Sequence, residues 1–305
     1  MNKKHIKLIF NPTAGYGRNT LSRFFQPSKT SYTHVLKYIL AEFKAHDITV
    51  DTIIIRKNID TAKVVQACCK KTYSAVVVAG GDGTVNRAIN GLVHNAIPLG
   101  IIPIGSVNIL ALELGIPNNI QRACERIING QLKTVDLGKV NDHYFACMTG
   151  IGFDAKVIKH TPLVLKKLCG LLSFFFVSVK LLVRYKFRPI HFKIDQEIYT
   201  RTAYFLIVNN SKYYAGNFII SNKATLSDGK LDIIIMKRRN VFRLLQFCWY
   251  LTQNKLNKCS WIDIVQAKSL NFIENQYHHI HVDAEYIGKQ NAKIHVVPQA
   301  VQVFH

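Results

Sequence analysis

The sequence predicts a doubly wound α/β domain over residues 1–130, followed by a mainly antiparallel β domain over 131–305. Three observations carry that reading. In the first part, short apolar runs alternate with segments of helical periodicity, as parallel βαβ units require. Past Gly130 the runs become short and alternating, with turn signals at Val140-Asn-Asp-His143 and Ile194-Asp-Gln-Glu197. The 305 residues, 49% of them hydrophobic, suffice for two cores of ordinary size.

Lys7 to Phe10 reads as a first strand entering Asn11-Pro-Thr-Ala-Gly-Tyr-Gly17, a turn-rich loop. The start of the chain is basic, but its apolar run of about four residues is too short for a secretion signal. From Tyr32 to Ala45, the residues Val35, Leu36, Ile39, Leu40 and Phe43 recur at helical spacing. Ile48–Arg56 then gives a strand, Asp60–Lys71 a helix, Ala75–Ala79 a buried strand, Val85–Leu92 a helix and Pro98–Ile102 a strand. Ser106–Leu114 is helical again and stops at Gly115-Ile-Pro117. In the second part, strands are expected at Tyr204–Val208, Leu231–Met236, Ile262–Val265, His279–Val282 and Lys293–Val297. Helices at about Leu163–Arg184 and Val241–Leu251 interrupt them. No low-complexity linker separates the halves, so a shared interface with a cleft is expected. The last strand is a candidate to return to the N-terminal domain.

Forty Lys and Arg against eighteen Asp and Glu leave a formal charge of +22. A field of that size draws anions: nucleotide, nucleic acid or an anionic membrane face. No nucleic-acid recognition motif accompanies it, so nucleic acid is not an expected partner. The seven cysteines are scattered, with one adjacent pair and no C-x-x-C. That usage suits reduced thiols in a cytosol better than a disulfide framework or a zinc site.

The stretch that carries chemistry is Val77-Val-Ala-Gly-Gly-Asp-Gly-Thr-Val-Asn86. A strand is expected to end at Ala79 and a helix to start near Thr84. Glycine lets a ligand lie directly on the backbone, and amides at a helix N-terminus favour anions. The expected guest is therefore a phosphate chain. Asp82 is tolerable among phosphates where a Mg²⁺ or a proton in transfer lies between them. The spacing is neither G-x-x-x-x-G-K-[ST] nor G-x-G-x-x-G.

This pattern resembles the GGDGT signature of the diacylglycerol kinase catalytic superfamily. That group includes bacterial lipid kinases and sphingosine kinases, with NAD kinases and phosphofructokinases more distant. Five further blocks resemble the family in order along the chain. They are Ile9-Phe-Asn-Pro-Thr-Ala-Gly15, Pro103-Ile-Gly-Ser-Val-Asn108 with Leu114-Gly-Ile-Pro117, Gly150-Ile-Gly-Phe-Asp-Ala155, Ser227-Asp-Gly-Lys-Leu-Asp232 and Val282-Asp-Ala-Glu285.

The resemblance implies an N-terminal nucleotide-binding domain and a C-terminal β-sandwich for the lipid substrate. It implies a lipid kinase, a phosphotransferase with an alcohol group as acceptor, that uses ATP and Mg²⁺. The acceptor would be diacylglycerol, phosphatidylglycerol or a sphingoid-type lipid. The enzyme would work in the cytoplasm, peripherally bound to an anionic membrane surface, with room for a homodimer. Nucleotide binding falls to Asn11, Pro12, Thr13, Ala14, Gly15, Gly80, Gly81, Asp82, Gly83, Thr84, Val85, Asn86 and Ser106. Proton removal falls to Asp283 first and Glu285 second, which at i and i+2 of a strand would share a face. Asp82 is the rival base, or a member of a Mg²⁺ network. A structural metal would use the Asp228 carboxylate and the Lys230 carbonyl. Lys223 stands where that site expects an acid, and its ammonium can replace the ion.

Three departures open other readings. Arg87 replaces an expected Glu, Ala284 replaces the Gly of D-G-E, and Ile109 replaces an Asp common in diacylglycerol kinases. They leave a lipid- or nucleotide-binding pseudokinase as an alternative. An NAD kinase-like soluble enzyme is disfavoured by the C-terminal D-x-E and by an aromatic-rich helix. That helix runs from Leu168 to Val183, sixteen residues or roughly 24 Å, short of a ~30 Å hydrocarbon core. Lys166, Lys167, Arg184, Lys186 and Arg188 flank it, as suits an interfacial element on anionic lipid. The other reading is a core helix packed on the β-sheet, and both hold if one face packs while the other touches the membrane.

Overall fold

The structure, a computed structural model, describes residues 4–14, 29–56, 58–162, 165, 171–182, 185–273 and 275–305. The chain forms two compact units, Met1–Val135 with Gln299–His305, and Asp136–Pro298.

In the first unit, β1 (His5–Phe10), α1 (Lys29–Ala45), β2 (Thr49–Ile54), α2 (Thr61–Cys68) and β3 (Ala75–Gly80) come first. Then come α3 (Asp82–Leu92), β4 (Leu99–Pro103), α4 (Ile109–Glu113) and α5 (Ile120–Asn129). The strands make a parallel sheet in the order β2–β1–β3–β4. α5 covers β4 and packs on α1, while α2 packs on α3. β3 is buried at every position, which is why Ala-Val-Val-Val-Ala-Gly carries no polar residue. β2, at the sheet edge, alternates exposed and half-buried residues. Side chains start two of the helices: Asp60 accepts from the Ala62 and Lys63 amides, and Asn119 from that of Arg122. Gly130, at φ 73°, ends α5. α5 is absent from the sequence expectation, although Ala123, Cys124 and Ile127 form its buried face.

β5 (Leu132–Val140) crosses the unit boundary and turns at Asn141 into β6 (His143–Phe145). β7 (Met148–Ile151), α6 (Phe153–His160), α7 (Leu171–Leu182), β8 (Ile190–Ile194), β9 (Arg201–Ala203) and β10 (Phe205–Asn209) follow. Next are β11 (Tyr213–Tyr214), β12 (Phe218–Ile219), β13 (Leu231–Met236), α8 (Val241–Thr252), β14 (Ile262–Ala267) and β15 (Ser269–Phe272). β16 (His278–Val282), β17 (Glu285–Gln290) and β18 (Lys293–Phe304) close the chain. One antiparallel sheet runs β14–β13–β10–β7–β16–β17. β9, β8, β15 and the start of β18 pair antiparallel in a second layer.

Strand periodicity explains the apolar runs of this unit. Leu231, Ile233 and Ile235 of β13 enter a core shared with Phe192, Leu270 and Ile294 of the facing layer. Ile234 and Met236 enter a second core with Phe153, Val177, Leu244 and Phe247 of α6, α7 and α8. The long sheet thus buries both faces, one in a β-sandwich and one under helices.

Of the predicted helix, Leu171–Leu182 is helical, and residues 163, 164, 166–170, 183 and 184 of that prediction lie outside the described residues. Val177 and Leu182 pack inward, whereas Phe175 and Phe176 are 60% and 57% exposed. α8 likewise buries Leu244, Phe247 and Leu251 and exposes Phe242, Leu245 and Trp249. Among the described residues no helix is long and apolar enough to cross a membrane.

β18 is shared between the units. Ile294 pairs with Leu270, and Val303 pairs in parallel with Leu99 of β4. The chain changes unit at Gln299, which takes a left-handed conformation with φ 50°.

Candidate active site

Three loops converge at the end of the parallel sheet. The first follows β1. The Asn11 amide nitrogen donates to the Ala79 carbonyl, and its side-chain Nδ2 donates to Thr84 Oγ1 at 2.7 Å. Asn11 Oδ1 accepts from the Thr13 amide and hydroxyl, which folds Pro12, Thr13 and Ala14 into a tight turn. Gly15 lies outside the described residues.

The second loop is the GGDGT stretch. β3 runs to Gly80 and α3 starts at Asp82, so the motif itself builds the first helical turn and no separate loop precedes it. Gly81, the N-cap, supplies no side-chain cap to the helix. Gly83 is exposed, and a Cβ there would meet open space. Thr84, Val85 and Asn86 are buried, and the Thr84 hydroxyl takes the Asn11 side-chain amide.

The third loop, 104–108, presses against the second. A Cβ on Gly81 would stand 3.2 Å from the Gly105 Cα, so the two backbones nearly touch. Asp82 fastens the loops together. Its Oδ2 accepts from the Asn108 amide at 3.0 Å and its Oδ1 from the Ile109 amide at 2.6 Å. Asn108 is buried, left-handed with φ 57°, and bonds both the amide and the carbonyl of Gly105. Asn108, and not Ser106, is the N-cap of α4; Ser106 is exposed on the loop. Sequence reasoning missed Asn108 as a functional residue, although its motif was in view.

In the second unit the predicted acids occupy a turn. Asp283 and Ala284 have φ of 43° and 61° and form a two-residue connection between β16 and β17. The expected strand face shared by Asp283 and Glu285 is therefore corrected: the chain reverses between them. The Asp283 carboxylate accepts three amides, from Ala146 at 2.7 Å, Cys147 at 3.0 Å and Met148 at 2.9 Å. Glu285 opens β17 and is half-buried.

Below the turn, the fully buried His281 accepts from the Ala284 amide at Nδ1 and donates from Nε2 to Asp154 at 2.8 Å. The Tyr214 hydroxyl donates to the other Asp154 oxygen at 3.1 Å. Burial, and then the Asp154 charge, push that phenol well above its ordinary range. Asp154 stands in a motif noted in the sequence without a role; His281 carried no local signal.

Comparison with known proteins follows the same division. Residues 5–140 match the diacylglycerol kinase catalytic domain, and residues 147–305 match the YegS C-terminal NAD kinase beta sandwich-like domain. The chain belongs to the diacylglycerol kinase family. A diacylglycerol kinase of Staphylococcus saprophyticus is 27% identical over 99% of this chain and 95% of its own. One from Staphylococcus epidermidis is 26% identical over 99% and 92%. The crystal structure of a diacylglycerol kinase from Bacillus anthracis superposes with a TM-score of 0.73 at 22% identity, covering 100% of this chain and 98% of its own. Another from that organism reaches 0.80 at 24% identity, covering 99% and 95%. These two structures speak to the fold.

The departures from the family pattern can now be placed. At position 109 the backbone amide donates to Asp82, a bond that does not depend on the side chain. Arg87 is exposed on α3. Ala284 holds a left-handed conformation that costs a non-glycine residue about 1–2 kcal/mol.

The residues expected to hold a structural metal lie in the loop before β13. Asp228 is exposed and accepts from the Lys230 amide at 3.0 Å. The Gln266 side-chain amide reaches both Asp228 and the buried Asp232 at 3.4 Å. Burial raises the Asp232 carboxyl above its ordinary range, against the Ser221 hydroxyl, the Gln266 amide and the Lys223 charge. Among the described residues no group of three or more His, Cys, Asp or Glu side chains converges on a cation position. The Gln266 amide thus lies between the Asp228 and Asp232 carboxylates.

Proposed function

We propose that this kinase transfers the γ-phosphate of Mg·ATP to a lipid hydroxyl at an anionic membrane surface. The observation that carries the reading is the paired approach of Gly81 and Gly105 beside Asp82. Two bare backbones and an uncapped helix N-terminus make a surface on which phosphate oxygens can rest. Phosphoryl transfer asks mainly for holding, charge neutralisation and alignment, and such a cradle supplies the first.

Within this reading Asn11, Pro12, Thr13, Ala14, Gly80, Gly81, Gly83 and Ser106 border the nucleotide. Asp82 positions the third loop through its two amide bonds. Asp283 anchors the acid turn. Three of its roughly four lone-pair sites take amides, and protonation would cost those bonds. Proton removal from the acceptor hydroxyl therefore falls to Glu285, which reverses the order expected from sequence. In this reading Asp228 is held by the Lys230 amide and the Gln266 side chain, and needs no structural ion.

Membrane contact rests on the outward faces of α7 and α8. Phe175, Phe176, Phe242 and Trp249 are exposed, with Lys180 exposed on α7 and Arg238 and Arg239 exposed just before α8. Aromatic rings beside cations suit the surface of anionic lipid. The test is transfer of labelled phosphate from ATP into a lipid extract.

A further inference from the structure

The second unit contains a cavity of about 270 Å³ with no carboxylate among the described residues of its wall. It opens where β7 passes into α6, beside residues 185–188 and the ends of β16 and β17 that lie away from the acid turn. Lys156, Lys186, Arg188 and Lys289 bring four permanent cations, joined by His278 and His279. Among the described residues, no Asp or Glu pairs with any of the four cations. Lys156 rests instead on the Tyr185 ring, with Nζ 5.2 Å from its centroid.

The histidines register the resulting field. Burial, then Lys289 and Arg188, push His278 down to about 4. Burial, then Lys159, Lys156 and Lys289, lower His279 as well. The two adjacent imidazoles are thus held neutral in a wall of cations that no carboxylate of the described residues pairs with. Distance separates this place from the acid turn. His278 is five residues from Asp283 along β16, so roughly 16 Å of extended chain lies between them.

We propose that this cavity binds a phosphate group, carried as a free monoester or as the diester of a phospholipid headgroup. Ammonium and guanidinium groups together suit a tetrahedral oxyanion, with the Arg188 fork able to take two oxygens at once. The volume falls below the ~300–1,000 Å³ of pockets for larger ligands, which suits a headgroup and not a whole nucleotide. The site stands on this unit's geometry alone and would persist in a protein without transferase activity.

The test follows the ring resonances of His278 and His279 by NMR in the full chain, assigned with H278Q and H279Q. Inorganic phosphate and glycerol 3-phosphate are titrated first, then bicelles with and without phosphatidylglycerol. The readout is local, so occupation of the phosphate loop in the first unit does not confuse it. A saturable shift is expected, with affinity falling more than tenfold in K186A/R188A/K289A, whose three residues are exposed. Shifts with the soluble esters identify a free phosphate ligand; shifts confined to phosphatidylglycerol bicelles identify a lipid headgroup. Resonances unmoved by every probe, or an undiminished shift in the triple variant, overturn the proposal.

Discussion

His281 Nε2 lies 2.8 Å from Asp154 Oδ2, and the pair fills the space that any side chain at residue 150 would need. The buried imidazole also takes the Ala284 amide, so one ring ties the acid turn to the first turn of α6. Gly150→Ala would drive its methyl group into both partners. Overpacking of this kind costs about 1–3 kcal/mol. The expected outcome is a lower melting temperature together with a lower kcat, read by calorimetry and a turnover assay. Unchanged values for both would show that the pair yields without consequence.

The acid turn makes a prediction that separates anchoring from chemistry. Asp283→Asn turns one of the two oxygens that share the three amides into an NH2 facing a backbone donor, so it should destabilise the fold by roughly 1–3 kcal/mol and reduce kcat indirectly. Glu285→Gln should leave the melting temperature alone and lower kcat by at least the ~10²-fold typical of a lost general base. KM for ATP should move little in the second variant. A larger pure kcat effect at Asp283, without loss of stability, would return the base to that residue.

Much of the first unit was legible because its signals are local. β3 is an unbroken apolar run, and the glycines after it mark the phosphate turn. The role of Asp82 was not legible, since its partners Asn108 and Ile109 lie 26 and 27 residues away. The turn at Asp283 was hidden for a different reason. Two-residue hairpins are usually marked by Asn-Gly or Asp-Gly, and here Ala284 takes the left-handed position. Val282-Asp-Ala-Glu285 therefore reads as strand until its backbone is seen. The contact of His281 with Asp154 spans 127 residues, and no periodicity announces it. The aromatic helix is open in sequence between a membrane face and a core helix, and only the fold shows that Phe174 is half-buried on the core while Phe175 and Phe176 are exposed.

Stability should fall on the acid side. The His278 pKa is lowered from 6.5 to about 4 in the folded chain, chiefly by burial. Between those values the unfolded chain binds a proton that the folded chain refuses, so stability is lost as pH drops through that window. His279 and His295 are shifted the same way, also chiefly by burial. Asp232, raised by burial, acts in the opposite sense near its ordinary 3.8 and softens the acid end. Melting temperatures followed from neutral pH downward should decline, and H278Q should flatten part of the slope. An identical slope in H278Q would contradict this assignment.

The outward rings of α7 should bind lipid without supporting the fold. Replacing Phe175 and Phe176 with Ser is expected to weaken binding to anionic vesicles while stability stays within about 0.5 kcal/mol. Binding of the unaltered protein should also weaken with added salt, at roughly 1 kcal/mol per engaged Lys or Arg. A large loss of stability would show that these rings are core, and salt-insensitive binding would remove the electrostatic part of the account.

Phosphoryl transfer to a lipid hydroxyl is the central claim, and one assay addresses it directly. The protein is incubated with γ-labelled ATP, Mg²⁺ and a total lipid extract, and label is followed into the chloroform-soluble fraction. Asp82→Asn runs beside it; that change puts a donor amide against a backbone donor and loosens the third loop from the phosphate turn. The account predicts label in a single phosphorylated lipid species, reduced at least ~10²-fold in the variant. No labelled lipid from the native protein, or equal labelling by both proteins, would contradict it.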